Sequence, residues 1–331
     1  MQTPSKTRLT DRPEGRSPTS CSFSAAAQAP AKLPRLCFLA LAPDAAALPI
    51  FKPFLDGLRV VGLVDGSTIT IDVRSANSDA SRFPALAAEC VASRADVIVT
   101  SSTPATLAAM KATSTIPIVM HPLLDPVGAG LVKSLARPGG NVTGLSLMGP
   151  AVSARRLELL RQAFPRLARV VLLNYSVDPV SALQVAEIRK VASKLGIQLL
   201  IQDVKTPDDF ASALNAGVKA GGEALMVTGE SIFPANREQI AALVAKHCLL
   251  SIGPAQSWVD AGFLMSFGVD GAVFNRRTGA FVDRILKGAK PADLPVEQPT
   301  RFQLVVNQKT AKELAVKFPD AFMLQVDRVV E

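Results

Sequence analysis

The sequence predicts an α/β protein of two doubly wound, Rossmann-like lobes, joined by a hinge that the chain crosses more than once. Three observations carry that expectation. The 331 residues exceed the size at which a single hydrophobic core stops growing, so two domains are expected. From residue 35 onward, short apolar and β-branched runs alternate with amphipathic helical stretches, the rhythm of a parallel sheet covered by helices. That rhythm pauses at Gly149-Pro150 and restarts, giving two blocks of similar size.

In the first block, Arg35–Leu41 reads as a buried strand and Phe51–Leu63 as a helix ending in the turn Val64-Asp65-Gly66-Ser67. Thr68–Val73 is a β-branched strand, and Phe83–Ser93 a helix with Leu86 and Val91 on its apolar face. Asp96–Thr100 is a continuous apolar run, hence a buried strand. Pro104–Ala112 is a helix with Thr103 as its expected N-cap and Pro104 in its first turn, where a missing N–H costs nothing. Ile116–His121 is a strand, Gly130–Ala136 a short helix, and Asn141–Leu147 a strand.

The second block repeats the pattern. Ser153–Phe164 is a helix, Arg169–Asn174 a strand, Val180–Leu195 a helix and Ile197–Val204 a strand. Thr206-Pro207-Asp208-Asp209 opens the next helix, with acids at its positive dipole end. Ala224–Thr228 is a strand, Ile232–His247 a helix and Leu249–Ile252 a strand. Phe263–Phe267 and Val269–Leu286 form a further strand–helix unit, and Phe302–Asn307 a late strand after the Pro-rich 291–299. The expected division is an irregular leader over 1–34, a first lobe of 35–147 plus about 253–290, and a second lobe of 148–252 plus about 291–331.

Composition narrows the function classes. The net charge of +8 invites a nucleic-acid reading, but residues 1–35 hold six basic and two acidic side chains, half of the excess. The remainder forms no Lys/Arg stripe, and one Trp and one Tyr make a poor stacking platform, so no nucleic-acid partner is expected. The four cysteines make no C-x-x-C pair, and His121 and His247 stand alone, so neither a metal nor a cofactor is expected. Cys37, Cys90 and Cys248 lie in apolar patterns and read as inert buried thiols. No apolar stretch is long enough to span a bilayer. Ala27-Gln28-Ala29 has the form of a cleavage site, yet no hydrophobic segment precedes it, so no signal peptide is legible.

Enzyme signatures fail in detail. Gly144-Leu145-Ser146-Leu147-Met148 lacks the final Gly of a nucleophile elbow, and Gly128-Ala129-Gly130 lacks the third Gly of a dinucleotide fingerprint. No catalytic residues are expected. The stronger candidates lie at the carboxyl ends of strands, where open α/β sheets bind ligands. Ser102 and Thr103 offer hydroxyls and free helix N–H groups to an anion, against the plainer role of capping. Asp125, after the fourth strand, is either a partner for an ammonium group or a turn cap. Together they would grip the two ends of a zwitterion such as an amino acid. In the second lobe the matching strand ends are Asn174 to Asp178, with Tyr175 at what reads as a loop tip, and Thr228 to Ser231.

Three long segments carry a resemblance. Asp125-Pro126-Val127-Gly128 with Ser134-Leu135-Ala136-Arg137-Pro138-Gly139-Gly140-Asn141-Val142-Thr143-Gly144 is the first. Asp260-Ala261-Gly262-Phe263-Leu264-Met265-Ser266-Phe267-Gly268 is the second, and 285–300 (ILKGAKPADLPVEQPT) the third. In this order they resemble the ABC-transporter substrate-binding proteins related to tryptophan/tyrosine-type uptake systems. The resemblance implies a type I periplasmic-binding-protein fold, a binding rather than catalytic role, and periplasmic localisation. The implied partners are a small-molecule ligand and a membrane permease with its ATPase. By position it implies a ligand site of Ser102, Thr103 and Asp125 from the first lobe, Tyr175, Asp178 and Glu230 from the second, and Phe267 and Asp270 near the later crossing. A sensory or regulatory binding protein of the same fold is the alternative. The chain departs from the family pattern at Ala42-Pro43-Asp44, where small polar residues are usual, and at Phe267, where Tyr is usual.

Overall fold

Apolar runs that must be buried on both faces form two sheets, one in each lobe. The structure is a computed structural model describing residues 32–44 and 50–331; the expected leader lies outside them, apart from its last three residues. Leu33–Glu331 forms one compact unit.

The first lobe contains β1 (Arg35–Ala40), α1 (Phe51–Val60), β2 (Thr70–Ser75), α2 (Phe83–Ala92), β3 (Val97–Thr100), α3 (Thr103–Ala112), β4 (Ile118–Leu123) and β5 (Val142–Ser146). Its sheet is parallel, in the order β2-β1-β3-β4-β5. The second lobe adds α4 (Gly149–Ala163), β6 (Arg169–Asn174), α5 (Val180–Leu195), β7 (Gln198–Asp203), α6 (Asp209–Lys219), β8 (Ala224–Val227), α7 (Ile232–Ala235), α8 (Arg237–Lys246), β9 (Leu250–Gly253), α9 (Gln256–Asp260) and β10 (Met265–Val269). Next come α10 (Gly271–Leu286), β11 (Phe302–Asn307), α11 (Gln308–Glu313), α12 (Asp320–Met323) and β12 (Arg328–Val330). The second sheet has the order β12-β11-β10-β9-β8-β6-β7, with β10 and β11 antiparallel. These are the two lobes of a type I periplasmic-binding-protein fold.

Strand order reverses direction between β1 and β3 in one sheet and between β6 and β8 in the other. A reversal leaves a crevice beyond the strand ends, and the two crevices supply the cleft. Every residue of β3 and β8 is buried, which explains their unbroken apolar sequences.

Residues 253–290 divide between the lobes. β10 pairs with β9 and β11 in the second sheet. α10 instead packs on α1: a Cβ on Gly57 would stand 2.1 Å from Arg276 O, and one on Gly279 2.4 Å from Gly57 C. Only glycine permits that backbone-to-backbone crossing. Phe54, Leu58, Phe274, Phe281 and Ile285 close over it in one apolar cluster. The following segment also stays with the first lobe, where Val296 N–H donates to Leu135 O (2.7 Å) and Glu297 N–H to Gly144 O (3.0 Å). The chain therefore passes between lobes at 147–149, 269–271 and 299–302.

Four local expectations are corrected. Residues 130–136 form turns rather than a helix, with Ser134 Oγ capping Arg137 N–H at 3.1 Å. The helix expected over 232–247 is two, α7 and α8, broken at Asn236, whose backbone leaves the helical region (φ −117°, ψ 20°) and whose side-chain amide donates to Ile232 O at 2.8 Å. Cys37 and Cys90 are a disulfide rather than free thiols: α2 packs over β1 and brings their Cα atoms to 5.7 Å. Cys248 is exposed, in a turn with φ 50°.

Candidate functional site

The lobes meet around a cavity of about 110 Å³. From the first lobe, its wall holds Leu41, Ala42, Ile50, Ser101 to Thr103 and Pro122 to Leu124; Leu147 belongs to the first crossing. Asp178, Gly229, Glu230, Ser231 and Pro234 come from the second lobe. Leu124 presses against the opposite lobe at Gly229, where a Cβ would lie 2.6 Å from its Cδ2. The absence of a side chain at 229 lets the walls approach this closely.

Ser102, not Thr103, caps α3: it is extended (φ −156°) and its Oγ accepts from Ala105 N–H at 3.3 Å. Thr103 is already helical. Pro104 brings no N–H, so the helix start has fewer donors to satisfy. Thr106 Oγ1 donates to Ser102 O (2.9 Å) and lies 2.7 Å from Thr100 Oγ1, which fixes the cap on its strand. The positive end of α3 thereby faces the cavity.

Opposite it stand two buried carboxylates. Asp178 faces the hydroxyl and backbone N–H of Thr103 across the cleft. Burial nevertheless pushes it up to about 6. Glu230 is 1% exposed; burial, then the neighbouring Asp178, push it up to about 8, against the pull of Thr228 and Arg156. Its Oε1 accepts from Gln184 Nε2 at 2.6 Å. Its Oε2 and the Ser231 hydroxyl are buried without a hydrogen-bond partner. Orphaned buried polar atoms in a native site ask for a partner, and both belong to residues of this wall.

A second cavity of about 380 Å³ adjoins the first, sharing Ile50, Pro122, Leu124, Leu147, Gly229 and Pro234. Arg156, His121, Trp258, Asp270 and Asn275 are on its wall. Burial pulls His121 down to about 3, so the ring is neutral; its Nδ1 lies 2.8 Å from Thr278 Oγ1, tying β4 to α10. Arg156 is 5% exposed, and burial pulls it down to about 10.

The residues singled out in the sequence separate into groups. Ser102, Thr103, Asp178 and Glu230 come together on the smaller cavity. Asp270 is on the wall of the larger one and caps α10, accepting from Ala272 and Val273 N–H. Asp125 is on neither wall: its Oδ1 accepts from Gly128 N–H at 2.9 Å and orders the turn after β4. Tyr175 is 1% exposed rather than at a loop tip, and burial followed by Asp178 pushes its hydroxyl up to about 12. Phe267 is half-buried and stacks on Phe302 (5.8 Å between ring centres), while its carbonyl accepts from Arg156. Sequence reasoning missed Arg156, Ser153 and Gln184, the buried polar side chains behind Glu230.

Among the described residues, no group of three or more His, Cys, Asp or Glu could hold a metal ion, and no helix is long and apolar enough to cross a membrane.

Similarity to known proteins agrees with this cleft. The family model for ABC transporter substrate binding protein matches residues 41–330. A tyrosine-binding protein of Clostridioides difficile is 28% identical over 263 residues, covering 80% of this chain and 75% of its own. The crystal structure of a conserved domain protein from Vibrio cholerae superposes with a TM-score of 0.83 at 26% identity, covering 90% of this chain and 100% of its own. The structure of an ABC domain in complex with L-Trp from Streptococcus pneumoniae gives a TM-score of 0.82 at 28% identity, with the same coverage. Two α/β lobes meeting at a cavity that holds two buried carboxylates, and a family match over nearly all the described residues, lead to one conclusion: the chain belongs to the ABC transporter substrate-binding protein family, the solute-binding components of ABC uptake systems.

Proposed function

We propose that the chain captures an α-amino acid between its lobes and carries it to a membrane permease with its ATPase. One observation carries the ligand class. Two carboxylates of the second lobe, Asp178 and Glu230, oppose the hydroxyls and positive helix end at Ser102 and Thr103 of the first. That polarity suits a zwitterion, with its ammonium against the acids and its carboxylate on the start of α3. Asp178 itself faces Thr103, so a ligand carboxylate takes over those donors and leaves Asp178 for the ammonium. Of the two roles open to Asp125, the hydrogen bond from Gly128 N–H supports the turn cap. The tyrosine-binding and L-Trp-bound relatives support an aromatic amino acid, and the larger adjoining cavity is where its side chain would go.

Closure turns the segment 35–147 with 270–299 against the remainder about the three crossings. Capture outside the cytoplasm fits the family, and a buried disulfide is at home in an oxidising compartment.

Thermal-shift and calorimetric titration with the common amino acids test the proposal. L-tryptophan or L-tyrosine should raise the melting temperature, following the linkage of binding to stability. Asp178→Asn should weaken that binding about tenfold to a hundredfold, the loss of one charge-assisted hydrogen bond worth about 1.5–3 kcal/mol. An amine-free analogue binding as tightly as its amino acid would reject the assignment of the ammonium site.

A further inference from the structure

Four buried side chains form a one-way chain of hydrogen bonds that ends in the cavity. Arg156 Nε donates to Phe267 O (2.8 Å) and its Nη1 to Ser153 Oγ (3.1 Å). Ser153 Oγ donates to Gln184 Oε1 (2.7 Å), and Gln184 Nε2 donates to Glu230 Oε1 (2.6 Å). All four side chains are buried. A guanidinium only donates, so the Ser153 oxygen accepts from Arg156. With the serine proton on the Gln184 carbonyl, the Gln184 amide group turns toward Glu230 and Glu230 Oε1 accepts from it. In this arrangement a proton on Glu230 resides on Oε2, the buried atom without a partner.

The charges around Glu230 are unbalanced. Asp178 faces it from the loop after β6, Arg156 from α4, and the Tyr175 hydroxyl lies in the field of both acids. From the first lobe come the hydroxyls and N–H groups of Ser101 to Thr103, with Asp79 acting on the Tyr175 hydroxyl, and no Lys or Arg is among the described residues on the wall of the smaller cavity. Two buried carboxylates on one small, mostly apolar cavity do not both stay ionised without a cation between them. Burial raises Glu230 accordingly, and Asp178 raises it further.

We propose that Gln184 is a positioning residue that makes ligand capture proton-linked: Glu230 is a neutral acid before the ligand enters and releases its Oε2 proton to solvent when the ligand's ammonium takes that place. The inference rests on the amino-acid reading. One O–H bond breaks, its proton goes to the buffer, and the ammonium keeps its three protons while donating one of them to Oε2. The charge at that end of the cavity is conserved, a proton leaving as an ammonium enters.

The test is calorimetric titration of the full chain, stripped of ligand, with L-tryptophan and L-tyrosine. It is run in phosphate and in Tris, whose ionisation enthalpies differ widely. At pH 7 the binding enthalpy should depend on the buffer with a slope approaching one proton released per ligand, and the release should fade as the pH rises past 8. Glu230→Gln, a near-isosteric change, should abolish the slope. Gln184→Leu removes the donor that favours the ionised form, so the fading should move to higher pH, a shift that a purely structural role would not produce. Ser153→Ala, milder and one link further back, should move it in the same direction and serves if Gln184→Leu does not fold. Measurable binding with a buffer-independent enthalpy overturns the proton linkage and leaves the amino-acid reading intact. An unshifted window in the Gln184 or Ser153 variant overturns the positioning role. Binding of neither probe overturns the amino-acid reading and this inference together.

Discussion

Removing the Cys37–Cys90 cross-link should destabilise the first lobe by about 4 kcal/mol. The bridge closes a loop over a sequence separation of 53, from the inner strand β1 to helix α2. Chain-entropy arithmetic for a loop of that length gives roughly 14 cal/mol/K of lost unfolded-state entropy, or about 4 kcal/mol at room temperature. Both sulfurs belong to fully buried residues of the main apolar cluster, so Cys90→Ala adds a small loss of packing to the loss of the tether. For a domain of this size each kcal/mol moves the melting temperature by about 2–4 °C, so a fall of about 8–16 °C is expected. The assay is a thermal melt by circular dichroism of the wild type, with and without reductant, and of Cys90→Ala. Alkylation in denaturant before and after reduction, read by peptide mapping, gives the bonding state. Cys37 and Cys90 should be labelled only after reduction, and Cys248 without it. Melts that coincide with and without reductant, or Cys37 and Cys90 labelled in the unreduced chain, would refute the reasoning.

Three further outcomes follow from the geometry. Gly279→Ala places a Cβ 2.4–2.6 Å from the backbone of Gly57 and Leu58, and should cost about 1–3 kcal/mol as α10 is levered off α1; a melting temperature within 1 °C of wild type would count against the tight crossing. Asp125→Ala removes the Oδ1 cap on Gly128 N–H, so stability should drop by about 1 kcal/mol while ligand affinity stays within about threefold; a large loss of affinity with unchanged stability would restore Asp125 as a ligand group. Glu230 is raised from 4.5 to about 8 on folding, so its contribution to stability is full below 4.5 and is lost as the pH rises toward 8. His121 acts in the opposite sense, costing stability as the pH falls from 6.5 toward 3, so the diagnostic quantity is the stability of wild type minus that of Glu230→Gln. In the ligand-free protein that difference should fall across pH 5 to 8, by at most about 1.4 kcal/mol per pH unit, and a flat difference in urea melts would show that Glu230 is not buried as described.

Much of the fold was legible because its strands are buried on both faces. β6 and α5 have the bounds that their apolar runs and helical spacing predict, since burial leaves little freedom in what those runs can be. The segment 130–136 misled for the converse reason. Leu131 and Val132 are buried, but by turns whose geometry depends on Gly130 and Gly139 at positive φ and on the Ser134 cap, none of which leaves a periodic signal. At the cleft, the ends of β3, β6 and β8 marked Ser102, Thr103, Asp178 and Glu230 as residues on one edge. The same rule selected Asp125 and Tyr175, because a strand end fixes a place and not the direction in which a side chain turns. Arg156 was illegible on principle. An arginine on an amphipathic helix ordinarily faces water, and what buries this one is the carbonyl of Phe267, 111 residues further along the chain. The disulfide was hidden in the same way, since no spacing rule joins a strand to a helix 53 residues on.

The crossing of α10 over α1 also constrains the order in which the molecule can assemble. α1 presents Phe51, Phe54 and Leu58, whose cover is Phe274, Phe281 and Ile285, more than two hundred residues later in the sequence. On a ribosome, or emerging from a translocation pore, the N-terminal half is thus not a self-sufficient folding unit. Its strands can pair, but one face of its sheet remains greasy until α10 arrives, which happens only after β6 to β10 of the other half have been delivered. The half made first thus waits for a helix made far downstream. During that interval the exposed aromatic face is a liability for aggregation, and a holding chaperone would find its natural client there.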